Sequence, residues 1–243
     1  MMGFWLMSSG RRSVTIVIAA SVYNPNIEAL AVAAGWSGNG ALDLIINPGV
    51  DVARLEIASS IPHDVLKITS YGRIGGVRGE YPAQVGGTGL FTRSRLQMQN
   101  HGTMFGGGGR GGDGESASVC WGSDCHTASG GSGAPGAGFY SPSGTWNTFE
   151  FQATGSPGNA GWNSTRPPTG YPGDSGSWIS PGYGGRGGDL GQPGQAGGSA
   201  DWGGSYNTAG GFSRGNGARA GYCVDGNAYV SWLVEGTRIG PLV

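Results

Sequence analysis

The chain has 243 residues, 53 of them glycine, with 12% charged residues and a formal net charge of −1. Each interior glycine costs a helix about 1 kcal/mol relative to alanine, which excludes a helical bundle, and a near-neutral chain lacks the basic footprint of a nucleic-acid binder. An aromatic content of 10%, with eight tryptophans, separates it from ordinary charged disorder.

The chain opens on an apolar stretch, MMGFWLM at 1–7. Arg11-Arg12 then precedes a β-branched run, which favours a strand over the helical core of a secretion signal. No segment supplies eighteen consecutive apolar residues for a membrane span. Residues 13–22, 41–50 and 52–58 read as strands, separated by the turn signals Asn24-Pro25-Asn26, Gly38-Asn39-Gly40 and Asn47-Pro48-Gly49. The segment 27–34 (IEALAVAA) suits a helix or a strand equally.

An internal repeat follows. VLKITSYG at 65–72 aligns with RLQMQNHG at 95–102 and with YVSWLVEG at 229–236. In each copy apolar and polar side chains alternate (Leu66/Ile68, Leu96/Met98, Val230/Trp232), as a half-buried strand requires, and a glycine then turns the chain. Three strand–turn units of one design predict a stacked, solenoid-like β-layer. The long gap before the third copy makes the glycine-rich middle an insertion between neighbouring strands.

That middle, 101–220, holds 36 of the glycines. Gly182, Gly185, Gly188, Gly191, Gly194 and Gly197 recur every third residue, and 155/158/161 and 170/173/176 do the same. A three-residue period matches the polyproline II helix, which has no internal hydrogen bonds. Glycine at every third position lets a neighbour approach at backbone distance, and the free N–H and C=O groups then bond sideways. Collagen requires long proline-rich triplet runs and is rejected. A flexible linker would carry serine and glycine rather than aromatics. The segments between the glycine runs are aromatic, a composition like that of antibody loops. The residues expected to form a binding surface are Trp121, Phe139, Tyr140, Trp146, Phe149, Trp162, Tyr171, Trp178, Tyr183, Trp202, Tyr206 and Phe212, part of this aromatic set folding inward as small cores beneath the loops.

Catalytic chemistry finds little support. GDSG at 173–176 resembles the nucleophile segment of chymotrypsin-like proteases, but such a serine needs a histidine base and a buried aspartate. His63, His101 and His126 lack that context. Phosphate-loop, zinc-protease and dinucleotide motifs are absent from the sequence, and few carboxylates are available for glycoside cleavage. Cys120, Cys125 and Cys223 make an odd set without a disulfide framework. Cys120 and Cys125 could close a small loop, or join His126 in a metal site. Zinc needs three or four well-spaced ligands, so the loop reading is preferred and no metal or cofactor is expected. Arg110, Arg166, Arg186, Arg214 and Arg219 either meet acidic groups of a partner or are solvated, the second reading being preferred.

VLKITSYGRIGGVRG, RLQMQNHGTMFGGGGRGGDG and the closing GYCVDGNAYVSWLVEGTRIG resemble tailed-phage host-recognition proteins. The similarity is to the glycine-rich adhesins capping long tail fibres of T-even-like phages, and to C-terminal regions of lambda-like tail-tip proteins. It covers roughly residues 40–115 and 220–243 and is carried by Ile68, Tyr71, Ile74, Asn227, Trp232, Thr237 and Arg238. The resemblance implies a non-catalytic adhesin at the tail or tail-fibre tip of the virion. Its glycine helices would pack as a sandwich, and its loops would touch a protein or glycan receptor on the bacterial surface. Its partners would be other tail or fibre proteins, with an apolar N-terminus docking on a trimeric fibre end, and no nucleic acid. The long β-like region before the glycines is closer to the tail-tip type.

The expected architecture is all-β: an apolar attachment segment (1–12), a strand domain (13–104), a glycine-rich loop-bearing domain built as a polyglycine/polyproline-II sandwich (105–220) and a closing strand (221–243). A structural tail or capsid component with the glycine layer as a rigid spacer is the alternative. Ice binding by a flat glycine-helix bundle is a third reading, against which the irregular aromatic loops speak.

Overall fold

The structure is a computed structural model that describes residues 13–121, 124–163, 178–203 and 208–243. The chain begins with strands β1 (Val14–Ile18) and β2 (Val22–Tyr23). Helix α1 (Ile27–Ala33) follows, started by the Asn26 side chain, which accepts from the Ala29 N–H at 2.9 Å. Next come β3 (Leu42–Ile46), β4 (Asp51–Ala53) and β5 (Leu55–Ile57), the last two parted by Arg54 in a left-handed conformation. Strands β6 (Leu66–Ser70), β7 (Arg73–Gly75) and β8 (Leu90–Thr92) repeat that triplet, and β9 (Leu96–Asn100) and β10 (Thr103–Phe105) begin another.

The chain then leaves for the glycine-rich region. This carries β11 (Ala117–Trp121), β12 (Asp124–Ser129), β13 (Gly138–Tyr140), β14 (Glu150–Gln152), β15 (Trp162–Asn163), β16 (Trp178–Ser180), β17 (Asp201–Gly203) and β18 (Thr208–Gly211). It returns through β19 (Val224–Asp225), β20 (Val230–Val234) and β21 (Thr237–Ile239). Among the described residues the fold is all-β apart from α1 and one short 3-10 turn.

The strands outside the insertion stack into three parallel sheets, β1-β3-β6-β9-β20, β2-β4-β7-β10-β21 and β19-β8-β5. This is a solenoid, and its register is the one read from the repeat: Leu66 opposes Leu96 and Leu96 opposes Val230, while Ile68, Met98 and Trp232 share the next inward rung. The inward residues of all three sheets form one apolar core with Ile16, Leu44, Ile74, Leu90 and Val224. The ambiguous segment 27–34 is helical because Ile27 and Ala31, four apart, both enter that core. Stacked corners need glycine: a Cβ on Gly102 would collide with the Gly72 carbonyl one coil below.

Coil repetition ends in a polar rung. Arg238 stands in register with Met104, where an apolar residue would continue the core, and its guanidinium covers the Trp232 ring at 4.6 Å. Arg238 also pairs with Glu235, and Trp232 Nε1 donates to Asn227 Oδ1 at 2.9 Å. Leu242 bridges to Val224, placing the C-terminal residues along β19.

In the glycine-rich region, run 106–114 lies among five others. Gly108, Gly111 and Gly114 donate to Ala137, Ala134 and Gly131, whereas Gly109 and Gly112 donate to Gln192 and Gln195. Its carbonyls at 109 and 112 accept from Gly188 and Gly185, and those at 107, 110 and 113 from Gly221, Ala218 and Gly215. The hydrogen-bonding direction thus rotates with a three-residue period, and each direction meets a different neighbour.

Candidate functional site

The run order sends the described parts of three connections, 115–129, 162–180 and 199–212, to the ends of the runs remote from the solenoid. It sends two others, 138–154 and 189–191, back toward it. Each set of connections gathers part of the aromatic residues, so the expected binding surface splits into two places.

At the solenoid end, β13 and β14 pair and lay their aromatic side chains on the outer face of the second sheet. Phe139 is fully buried and packs against Phe105, with ring centroids 5.2 Å apart, and against Phe149 edge-on at 5.3 Å. Trp146 stacks on Tyr23 at 4.2 Å. Arg73, held by two bonds to Asp51, covers Phe151 at 4.1 Å, and Arg78 covers the Tyr140 ring at 3.8 Å while bonding Glu80 and Gln152. The Tyr140 hydroxyl donates to Glu150, and that bond raises the phenol's pKa. Phe139, Tyr140, Trp146 and Phe149 therefore glue the insertion to the solenoid. This corrects the reading of Phe139 as surface, because burying its ring here removes more apolar area from water than a loop could.

At the remote end, the strands order as β15-β12-β11-β18, with β16 and β17 paired beside them. Their core is small: Ala117, Val119, Ala128 and Ile179, with Ala200 and Trp202 half-covered. Cys120 and Cys125 stand directly opposite each other in the β11–β12 hairpin and are disulfide-bonded. Their sulfurs are committed to each other, which corrects the metal alternative with His126. Trp121, Trp162 and Trp178 lie on strands of this end, Trp202 lines its core, and Tyr183 and Phe212 are exposed at 64% and 58%. Tyr171, Tyr206, Arg166 and the GDSG segment lie outside the described residues, as does the apolar segment at 1–7.

Residues 113–116 tie these loops together, a role the sequence reading missed. The Asp113 carboxylate accepts from the Gly133 N–H at 2.8 Å and its carbonyl from Gly215 at 2.7 Å. Glu115 exchanges backbone bonds with Gly198 and Gly182, and its Oε2 accepts from the Ala200 N–H at 2.9 Å. The Ser116 hydroxyl accepts from Gly130 and its carbonyl from Phe212. Stems of all three loops therefore meet on four consecutive residues. A signal existed: the hexapeptide GGRGGD occurs at 108–113 and again at 184–189. In both copies arginine pairs with the aspartate three residues on (Arg110–Asp113 2.7 Å, Arg186–Asp189 2.8 Å), and that aspartate captures a glycine N–H of a neighbouring run. Arg110 is buried, so the solvated reading is corrected for it.

The electrostatics follow this arrangement. Burial, the largest influence on Asp113, opposes its ionisation, but the Gly133 N–H and Arg110 together outweigh it and lower the pKa. At Asp189 the Gly155 N–H leads and the pKa is likewise lowered. Burial pushes the Cys223 thiol up to about 11 and leaves it unreactive. No group of three or more histidine, cysteine, aspartate or glutamate side chains able to hold a metal occurs among the described residues.

Residues 13–243 match the family described as phage tail fibre adhesin Gp38. The chain belongs to that family. It is a tail fibre adhesin of the virion that binds a receptor on the host surface, and the match extends well beyond the two stretches that carried the sequence resemblance. The adhesin is also similar to the crystal structure of the gp37-gp38 adhesin tip complex of the bacteriophage S16 long tail fiber, with 18% identity and a TM-score of 0.49 over 96% of this chain and 83% of that one. No curated protein matches it.

Proposed function

We propose that the three remote loops of the adhesin form its receptor-contact surface, with Trp121, Trp162, Tyr171, Trp178, Tyr183, Trp202, Tyr206 and Phe212 as the aromatic contacts. The observation carrying this reading is the convergence of all three loop stems on residues 113–116, which holds the loops as one surface at the end away from the solenoid. The glycine runs are polyproline-II-type helices packed as a sandwich, a reading supported by the three-residue rotation of the bonds around 106–114. The domain limits near 105 and 221 fit this division. The role is adhesive and non-catalytic.

The fibre partner sits at the first coil of the solenoid. Strands β1 and β2 are the outermost members of their sheets there, and Val17, Leu30 and Val32 are exposed. A parallel edge left unpaired among the described residues, with apolar neighbours, suits coaxial docking of another β-rich fibre end. At the opposite end of the stack, Arg238 and the C-terminal residues close the solenoid.

The test exchanges the three loops (115–129, 162–180 and 199–212) for those of another family member while keeping the stems. Altered host range with intact fibre assembly is the expected result. Unchanged adsorption would remove these loops from the binding surface.

A further inference from the structure

We propose that the Cys120–Cys125 disulfide is formed after the virion leaves its host, and that this oxidation locks the receptor-contact end into its binding-competent form. The inference rests on the reading of the remote loops as the contact surface. Its own grounds are geometric. The β11–β12 hairpin is the hub of the remote end: β11 also pairs with β18 and β12 with β15. Cys120 faces Cys125 on one side and Thr208 on the other, so the bond sits where the third loop joins the hairpin. Below that level the hairpin is held by Val119, Ala117 and Ala128 in their small core. Cys125 is exposed and neither cysteine belongs to that core, so the covalent bond ties the two strands at a level outside it.

Phage proteins are made and assembled inside bacteria, where thiols are kept reduced, whereas disulfides persist outside. The two cysteine environments match that history. Cys223 is fully buried and held as a thiol, so it takes no part in exchange. Cys125, being exposed, is open to a small-molecule disulfide such as oxidised glutathione. Its thiolate attacks that disulfide, forming a mixed disulfide and releasing one thiolate. The Cys120 thiolate then displaces the second. Two protein thiols are oxidised, one external disulfide is reduced to two thiols, and the two protons pass to the released thiolates. Reduced, the hairpin samples more conformations, and ordering it again on contact weakens binding by about tenfold.

Two measurements test this on the full-length adhesin. Maleimide labelling with mass analysis compares chains trapped inside infected cells before lysis with chains on released virions. Two accessible thiols inside and none outside are expected, with Cys223 labelled only after denaturation in both. Binding to whole host cells then compares oxidised adhesin, adhesin reduced with a phosphine, reoxidised adhesin and the Cys120→Ser/Cys125→Ser variant. The reduced and serine forms should bind about tenfold more weakly with an unchanged unfolding temperature of the solenoid, and reoxidation should restore only the former. A bond already present inside the cell, or equal binding of reduced and oxidised protein, overturns the inference and leaves the contact surface standing. Failure of the oxidised adhesin to bind cells overturns both.

Discussion

In the solenoid, neighbouring coils touch through side chains: Leu44, Ile68, Met98 and Trp232 stack rung on rung, and backbone ladders run between them. In the glycine-rich layer, neighbouring runs touch chiefly through backbone, with N–H···O distances of 2.7–3.0 Å around 106–114, and the Asp113 and Asp189 carboxylates add a side-chain bond between runs. The first region tolerates a change of side chain in proportion to the apolar volume lost. The second tolerates almost none, because an added methyl group meets a carbonyl that belongs to another run's hydrogen-bond network. The loop stems are held by main-chain bonds together with the Asp113, Glu115 and Ser116 side chains, all of which lie outside the loop tips.

Substitutions at four positions and one titration bear on this contrast. Leu44→Ala empties a fully buried rung and should cost about 3 kcal/mol, read as a lowered denaturation midpoint, with cell binding retained under native conditions. Gly111→Ala would drive a Cβ into the Gly185 carbonyl and should cost about 2 kcal/mol for a single methyl; a midpoint equal to wild type would mean the layer is not close-packed. Glu115→Ala removes the acceptor of the Ala200 N–H and should cost about 1.5 kcal/mol while weakening adsorption. Glu115→Gln keeps an oxygen there and should recover most of both, whereas equal damage from the two would place the effect in the charge.

The titration concerns Asp113 and Asp189, whose folded pKa values are lowered. A carboxylate with a depressed folded pKa stabilises the fold above its unfolded value of about 4, and that contribution is lost as pH falls through the folded pKa. The gap in unfolding temperature between wild type and Asp113→Asn/Asp189→Asn should therefore narrow on acidification below about pH 4. A constant gap would exclude the carboxylate charges as its cause. The smallest effect belongs to Gly210→Ala, since a Cβ there meets nothing within 4 Å: a change under about 0.5 kcal/mol is expected by chemical denaturation.

The sequence by itself determined the stacking of 65–72, 95–102 and 229–236, because alternation of period two sets which side chains face inward and a one-residue slip would expose all of them. It also determined the three-residue rhythm of the glycine runs, since only glycine permits backbone contact at every third position. It did not separate Phe139 and Trp146 from Trp202, because an aromatic side chain carries the same local signal whether it meets Tyr23, a small core or solvent. Strands β1 and β3 escaped recognition as further copies of the repeat, their corners being built from different residues. Only the tertiary structure decided which connections turn back to the solenoid and which gather on Asp113–Ser116, for that depends on hydrogen bonds between residues some 20 to 100 positions apart.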